Sequence, residues 1–501
     1  MHQPVGNRLR RVNLAGIAVL TLSFAAVVSL TGCGNQYRPV VSAIGPVGPA
    51  GQPTKYAVAV SSPSATSPGL LTIVDFGGDT VLSTPNILTN PSYFMLSTRG
   101  SQGYVINTEG SLDTFPLSNP TALITSGVTQ TTLPVNNTPI SITGLSPLSG
   151  LSTIFIPESN TNSIAAVNAL TAALYDNVAV QRGTNPVYVV GAAGTPRVYA
   201  ISQNSQQFPG GVGQVDSIET ISTVTLSDSA QIPVGVAPIY GIMTPDDRRA
   251  FILNQGSGTV SVINVPNNAL DTLPPGIVST GTPTGTLPLC NASNPTATVP
   301  CPDYNPVWAD LDSVDTLLVV ANQGAPGQAG SLSIVNVPLC NAAAQPTNPN
   351  CSATNPVDAS TFGQILATVP VGINPTMVSV LQGKDGNPPA AYVINQGDST
   401  GTCPNNTDAG TVTVINLQTD KVVTTICGVS GSAATATANG TSNVIFGHPN
   451  SVSATGGQPA GKVYVTSSDN QYMSIIYTDT NTVQTHIPLQ GNGLRVLVTQ
   501  P

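Results

Sequence analysis

The stretch Pro238–Val265 reads PIYGIMTPDDRRAFILNQGSGTVSVINV, and the fold of the chain is decided there. A first apolar run spans Pro238 to Met243. Thr244-Pro245-Asp246-Asp247 then supplies turn chemistry, since Pro presets φ and Asp side chains bond back onto the backbone. A second run, Arg249–Asn254, ends in Asn254-Gln255-Gly256, where Asn and Gly tolerate the positive φ of a tight turn. A third run, Thr259–Val265, follows. The runs are six or seven residues long and dominated by Ile, Val, Phe and Thr. That pattern predicts three antiparallel strands joined by hairpins.

The same unit recurs on both sides of this stretch. Pro306 opens PVWADLDSVDTLLVVANQGAPGQAGSLSIVNV, and further copies open at Pro375 and Pro449. Weaker copies open at Pro91, Pro139 and Pro186, so the start prolines lie 48, 47, 52, 68, 69 and 74 residues apart. Most units carry a fourth strand. A four-stranded repeat of about 40–50 residues is the mark of a β-propeller. The ends of the chain complement each other: residues 55–88 hold three strands without a first, and residues 494–499 hold a first strand with nothing after it. Together they predict one shared blade that closes a ring and leaves no long free strand edge. The fold class expected is therefore all-β, a propeller of four-stranded antiparallel blades. The count is eight, with seven as the alternative because the Pro91 and Pro139 units are degenerate. A solenoid would need caps rather than complementary ends.

Pro238–Val265 resembles the YVTN-type β-propeller repeat, whose unit pairs a Pro-Asp-Gly-like turn with a Tyr-Val-Thr-Asn-like strand end. The matching residues here are Pro245-Asp246-Asp247, then Ile252-Leu253-Asn254, Val320-Ala321-Asn322 and Val393-Ile394-Asn395; Tyr464-Val465-Thr466-Ser467 stands nearest to the name. The resemblance covers about residues 230–490. It implies an extracytoplasmic propeller, and some relatives are lactonases.

The N-terminus points to the same compartment. Arg8, Arg10 and Arg11 precede an apolar run, and residues 1–33 contain no Asp or Glu, which reads as an export signal. The run Leu14–Leu30 is short for a membrane span of about 20 residues. Leu30-Thr31-Gly32-Cys33 resembles the lipobox of bacterial lipoproteins. That resemblance implies cleavage before Cys33, acylation of its thiol and a membrane partner reached through the lipid. Gly34 is not the Asp associated with inner-membrane retention, so the expected destination is the outer membrane or cell surface of the envelope. The domain reading is a signal peptide at 1–32, a Pro/Gly-rich tether at 33–54 and the propeller at 55–501.

Beyond Cys33 there are six cysteines, an even number in an exported chain. Fifteen pairings are possible in principle; spacing favours Cys290–Cys301, Cys340–Cys351 and Cys403–Cys427. These fall in the three units with longer intervals, which reads as insertions stapled by local disulfides. No Cys-x-x-Cys occurs and the mature chain holds only His448 and His486, so no metal and no cofactor is expected.

Only 7% of residues are charged, against about 25% in typical soluble domains, and the net charge is −9. An acidic chain without a basic patch excludes nucleic acid as a partner. A protein or carbohydrate ligand suits the amide- and hydroxyl-rich surface. Candidate ligand-face residues are the repeated turn amides Asn254, Asn322 and Asn395, and the residues preceding start prolines: Asn185, Asn305, Asn374 and His448. Each Asn also has a local reading, as a turn former tolerant of positive φ. His448 is the one member that titrates near neutral pH. There is no Gly-x-Ser-x-Gly elbow, and Asp246-Asp247-Arg248-Arg249 reads as a solvated turn. No catalytic residue is assigned. The function expected is a lipid-anchored binding or scaffold propeller, with a lactonase-like hydrolase using His448 as the alternative. Trp308 reads as a blade-core anchor.

Overall fold

A computed structural model of the protein describes residues 55–499, apart from 98–99, 121–122, 124–126, 135–137, 146–152, 193–196, 220–225, 274–284, 290–302, 313–316, 338–360, 384–387, 399–400, 402, 404–409, 430–442 and 459. Cys33, the signal, the tether, Cys290–Cys301 and Cys340–Cys351 lie outside the described residues. Among the described residues no helix is long and apolar enough to cross a membrane.

Among the described residues seven sheets follow one another along the chain, antiparallel throughout except where Lys421–Val429 pairs in parallel with Val444–Phe446. The second holds Pro91–Leu96, Gln102–Asn107, Ser111–Pro116 and Thr129–Thr132; the fifth opens with Pro238–Met243, Arg249–Asn254 and Thr259–Asn264. The sixth has eight strands, the last being the short Val444–Phe446, because one of them, Gln364–Leu381, is shared between a group of four and a group of five. Its first half pairs with Ala329–Asn336, the chain passes Asn374-Pro375, and its second half pairs with Ala390–Gly397. The first sheet takes strands from both ends of the chain: Tyr56–Ser62 pairs with Pro68–Asp75 on one side and with Asn492–Val498 on the other.

Burial explains why the sequence alternates only in part. Arg249–Asn254, Thr259–Asn264 and Lys462–Ser467 are buried at every residue. Both faces of these middle strands pack against neighbouring sheets, so they read as continuous apolar runs. Outer strands such as Ala173–Ala179 are largely exposed. Apolar clusters lie between consecutive sheets: Phe94 and Phe115 face Leu71 and Ile73, Tyr104 and Ile106 face Ile154 and Ile156, and Ala166 faces Val198. The series returns to its start, because Tyr464, Met473 and Ile475 of the last sheet pack on Ala57, Ala59, Val74 and Phe76 of the first. The packing of sheets is thus cyclic.

Two details of the sequence reading are corrected here. Arg249 does not belong to a solvated turn. It is 2% exposed, and its Nε lies 2.7 Å from the Asp271 carboxylate, a buried pair inside the fifth sheet. A buried guanidinium requires such a partner. Trp308 is not confined to a blade core, as its contacts below show.

Cys403 and Cys427 form a disulfide with a Cα–Cα distance of 5.6 Å. Cys427 sits on Lys421–Val429 between Thr411 on one side and Val444 on the other, so the bridge ties the loop after Ala390–Gly397 to the outer part of its own sheet.

Candidate functional site

Each repeat begins with a strand whose register shifts by one residue just after the start proline, as between Pro238 and Tyr240, Pro306 and Trp308, and Pro375 and Met377. This bulge and the residue before the proline build the end of the ring axis. Asn90, Asn185, Ala237, Asn305 and Asn374 all hold φ between 46° and 56°, the left-handed region. The carbonyls of Asn185, Ala237 and Asn305 accept from the backbone N–H of Gln203, Gln255 and Gln323 at 3.0–3.1 Å. The amide side chains turn inward on the same loops: Asn185 Nδ2 donates to Gln203 Oε1 (2.7 Å) and Asn305 Nδ2 to the Gly324 carbonyl (2.9 Å). The preference for Asn at these positions follows from its tolerance of the left-handed conformation.

The turn asparagines are placed otherwise than a ligand-facing role requires. Asn254, Asn322 and Asn395 are fully buried. Each Nδ2 donates to two hydroxyls on the next strand: Thr259 and Ser261 (3.1 and 3.0 Å), Ser331 and Ser333 (3.2 and 2.9 Å), Thr411 and Thr413 (3.1 and 3.0 Å). Asn254 Oδ1 also accepts from the Gly235 N–H at 3.0 Å. The recurring Asn is a strand-to-strand clamp. The residue that reaches outward is the next one: Gln255 Nε2 meets Gln323 Oε1 at 3.5 Å, and Gln396 Nε2 donates to the Pro449 carbonyl at 2.5 Å. The glutamines therefore bridge between units.

His448 has an oriented partner. Its Nδ1 lies 2.7 Å from Asp469 Oδ2, while its own N–H donates to Asp469 Oδ1 at 2.7 Å. The second ring nitrogen is left for other contacts, and the side chain is about one-third exposed.

One layer further along the same strands, the third residue of each repeat points at the axis. Tyr188 and Tyr240 lie 4.9 Å apart and Tyr240 stacks on Trp308 at 4.2 Å, centroid to centroid. Arg495, at the matching position of the closing strand Asn492–Val498, lies 4.3 Å from the Tyr93 ring and 5.0 Å from the Trp308 ring. Trp308 and Arg495 come from sheets that are not neighbours in the cycle, so they meet across the axis. Burial pushes the Tyr188 and Tyr240 phenols far above their usual range, which keeps both neutral. Beside this cluster is a cavity of about 100 Å³, lined among others by Tyr93, Trp308, Thr376, Asn450, Ser451 and Arg495. Among the described residues no group of three or more His, Cys, Asp or Glu could hold a metal ion.

The sequence carried a signal for this layer. Tyr93, Tyr188, Tyr240 and Trp308 each stand two residues after a start proline. Reading the repeats as aligned columns finds the aromatic set; Arg495 escapes it, because the closing strand has Gly493 where the other repeats have proline.

No protein-family model matches the chain, and no curated protein matches it. Solved structures do. The dihydro-heme d1 dehydrogenase NirN is 11% identical, with a TM-score of 0.55 over 88% of this chain and 74% of that one. AztD from Citrobacter koseri is 10% identical, with a TM-score of 0.52 over 89% of this chain and 97% of its own. At such identity the likeness concerns the fold alone, and the fold is that of β-propeller proteins.

Proposed function

We propose that the chain is an extracytoplasmic, eight-bladed β-propeller of the YVTN kind, anchored through Cys33, that binds a ligand at the mouth of its axis and does not turn it over. Counting the eight-stranded sheet as two blades gives eight. The observation that carries the reading is the convergence of Tyr93, Trp308 and Arg495 on one axial cavity from innermost strands of separate sheets, with Tyr240 and Tyr188 stacked in series behind Trp308. Aromatic rings with polar tips and a rim of amides suit recognition of a polar organic ligand such as a carbohydrate or peptide.

Trp308 is the only tryptophan, so its emission reports on this cavity alone. The test is to titrate the purified full-length protein with sugars, short peptides and lactones while following Trp308 emission and thermal midpoint. A saturable response without consumption of the ligand is expected. Turnover of a lactone would favour the second reading, a hydrolase in which Asp469 orients His448 as general base; loss of that turnover in His448→Ala would establish it. The intact mass of membrane-extracted protein tests the anchor: residues 1–32 should be missing and acyl groups present.

A further inference from the structure

Resting on that binding reading, we propose that the axial cavity takes the carboxylate group of its ligand, with Arg495 as the recognising cation. Three side-chain atoms of residues that line the cavity are buried and have no hydrogen-bond partner among the described residues: Arg495 Nε, Tyr93 Oη and Thr376 Oγ1. The Tyr188 phenol stands beside Tyr93 but does not meet hydrogen-bond geometry with it. All three atoms can donate. Buried donors without acceptors are costly, and three around one small space define an oxyanion site.

The chemistry of Arg495 narrows the ligand. A guanidinium carries five N–H donors in a planar fork, which matches a carboxylate edge-on through two parallel bonds. The Arg495 guanidinium carbon lies over the rings of Tyr93 and Trp308, which hold the cation without using its N–H donors. No Asp or Glu lies within 4.0 Å of it among the described residues, although the chain has 23 acidic residues. The buried cations Arg249 and Lys462, by contrast, each hold a carboxylate at 2.7 Å. Among the described residues Arg495 thus has no carboxylate partner, and it lines a space with two further residues that carry unpartnered donors. Asn450 and Ser451 bond backbone carbonyls of the closing strand instead, at 2.8–3.3 Å, and so fix Arg495 in place.

The experiment titrates the full-length protein with acetate, succinate and phenylacetate at constant ionic strength, following Trp308 emission. Acetamide and chloride are the controls. A saturable change with the carboxylates and none with the controls is expected. Affinity should fall at least tenfold in Arg495→Lys, which keeps the charge and loses the fork, and vanish in Arg495→Met. Thr376→Val should weaken it several-fold. Absence of any saturable response to carboxylates, an equal response to acetamide, or unchanged affinity in Arg495→Met would overturn the proposal. If Arg495→Met does not fold, the carboxylate-to-amide comparison in the unaltered protein and the Arg495→Lys affinity decide. A neutral sugar or peptide that shifts the thermal midpoint equally in wild type and Arg495→Lys would overturn carboxylate recognition while leaving the binding reading standing.

Discussion

Lys462 and Asp79 are 383 residues apart in sequence, yet the Lys462 ammonium lies 2.7 Å from Asp79 Oδ1. The same ammonium donates to the Phe76 carbonyl at 2.5 Å and sits 4.9 Å from the rings of Phe76 and Tyr477, while the Tyr477 hydroxyl donates to Asp79 Oδ2 at 2.7 Å. A lysine on the last sheet is thereby locked onto the hairpin of the first. The side chains are only 3% and 13% exposed, so removing one partner strands the other in a desolvated place. Asp79→Ala should therefore cost on the order of 3 kcal/mol in urea unfolding, and the pair Lys462→Met with Asp79→Ala less than the sum of the singles. A loss below about 0.5 kcal/mol for Asp79→Ala would place ring closure in the apolar contacts alone.

Asp216 is fully buried in the fourth sheet, and burial raises its carboxyl to about 7, with the neighbouring Asp228 adding to the rise. Gln214 Nε2 donates to it at 2.7 Å. A carboxyl whose folded value exceeds the unfolded one favours the folded state fully at low pH, and that contribution is lost as pH climbs from about 4 to about 7. Asp216→Asn keeps the shape and an acceptor for Gln214. It should leave stability near pH 4 unchanged and raise it at pH 8 by on the order of 3 kcal/mol, measured as urea midpoints across pH. An unaltered pH profile in the variant would assign the slope to other groups.

The repeat was legible because turn chemistry and strand runs recur at fixed places, as in Thr244-Pro245-Asp246-Asp247 and Asn254-Gln255-Gly256. The pairing of Tyr56–Ser62 with Asn492–Val498 was legible from the complementary ends. The site was less so. An exposed turn amide and a buried clamp look alike in sequence, and only the two hydroxyls facing Asn254, Asn322 and Asn395 across the next strand distinguish them. Loops of different length separate those hydroxyls from the Asn, which hides the motif. Arg249 misled for a related reason: its partner Asp271 is a neighbour through strand pairing, not along the turn.

Ala237 shows what the Asn column is for. It occupies the position of Asn185 and Asn305 and holds φ 48°, a conformation costing a β-carbon-bearing residue about 1 kcal/mol or more. Asn relieves part of that cost through local hydrogen bonding, as Asn305 does to the Gly324 carbonyl. Ala237→Asn should raise stability by about 0.5–1 kcal/mol, and Asn305→Ala should lower it by a similar amount. Opposite signs in the urea midpoints are the expected result; equal signs would mean that the column is chosen for something outside the loop.

The disulfide makes the last prediction. Cys403 and Cys427 close a segment of 24 residues, for which loop-closure entropy gives about 3 kcal/mol. Thr411–Asn416, inside that segment, is paired along its length with Ala390–Gly397, which lies before it, and both are largely buried, so the sheet has support of its own. Cys403→Ser with Cys427→Ser should accordingly lower the unfolding midpoint by an amount near that figure while leaving the far-ultraviolet spectrum of the folded protein unchanged. The axial cavity draws on the opposite edge of that group, at Thr376 and Met377, and its Trp308 emission should be the same in both forms. A change in that emission on loss of the bridge would couple the loop to the axis through Ala390–Gly397, the strand that lies between them.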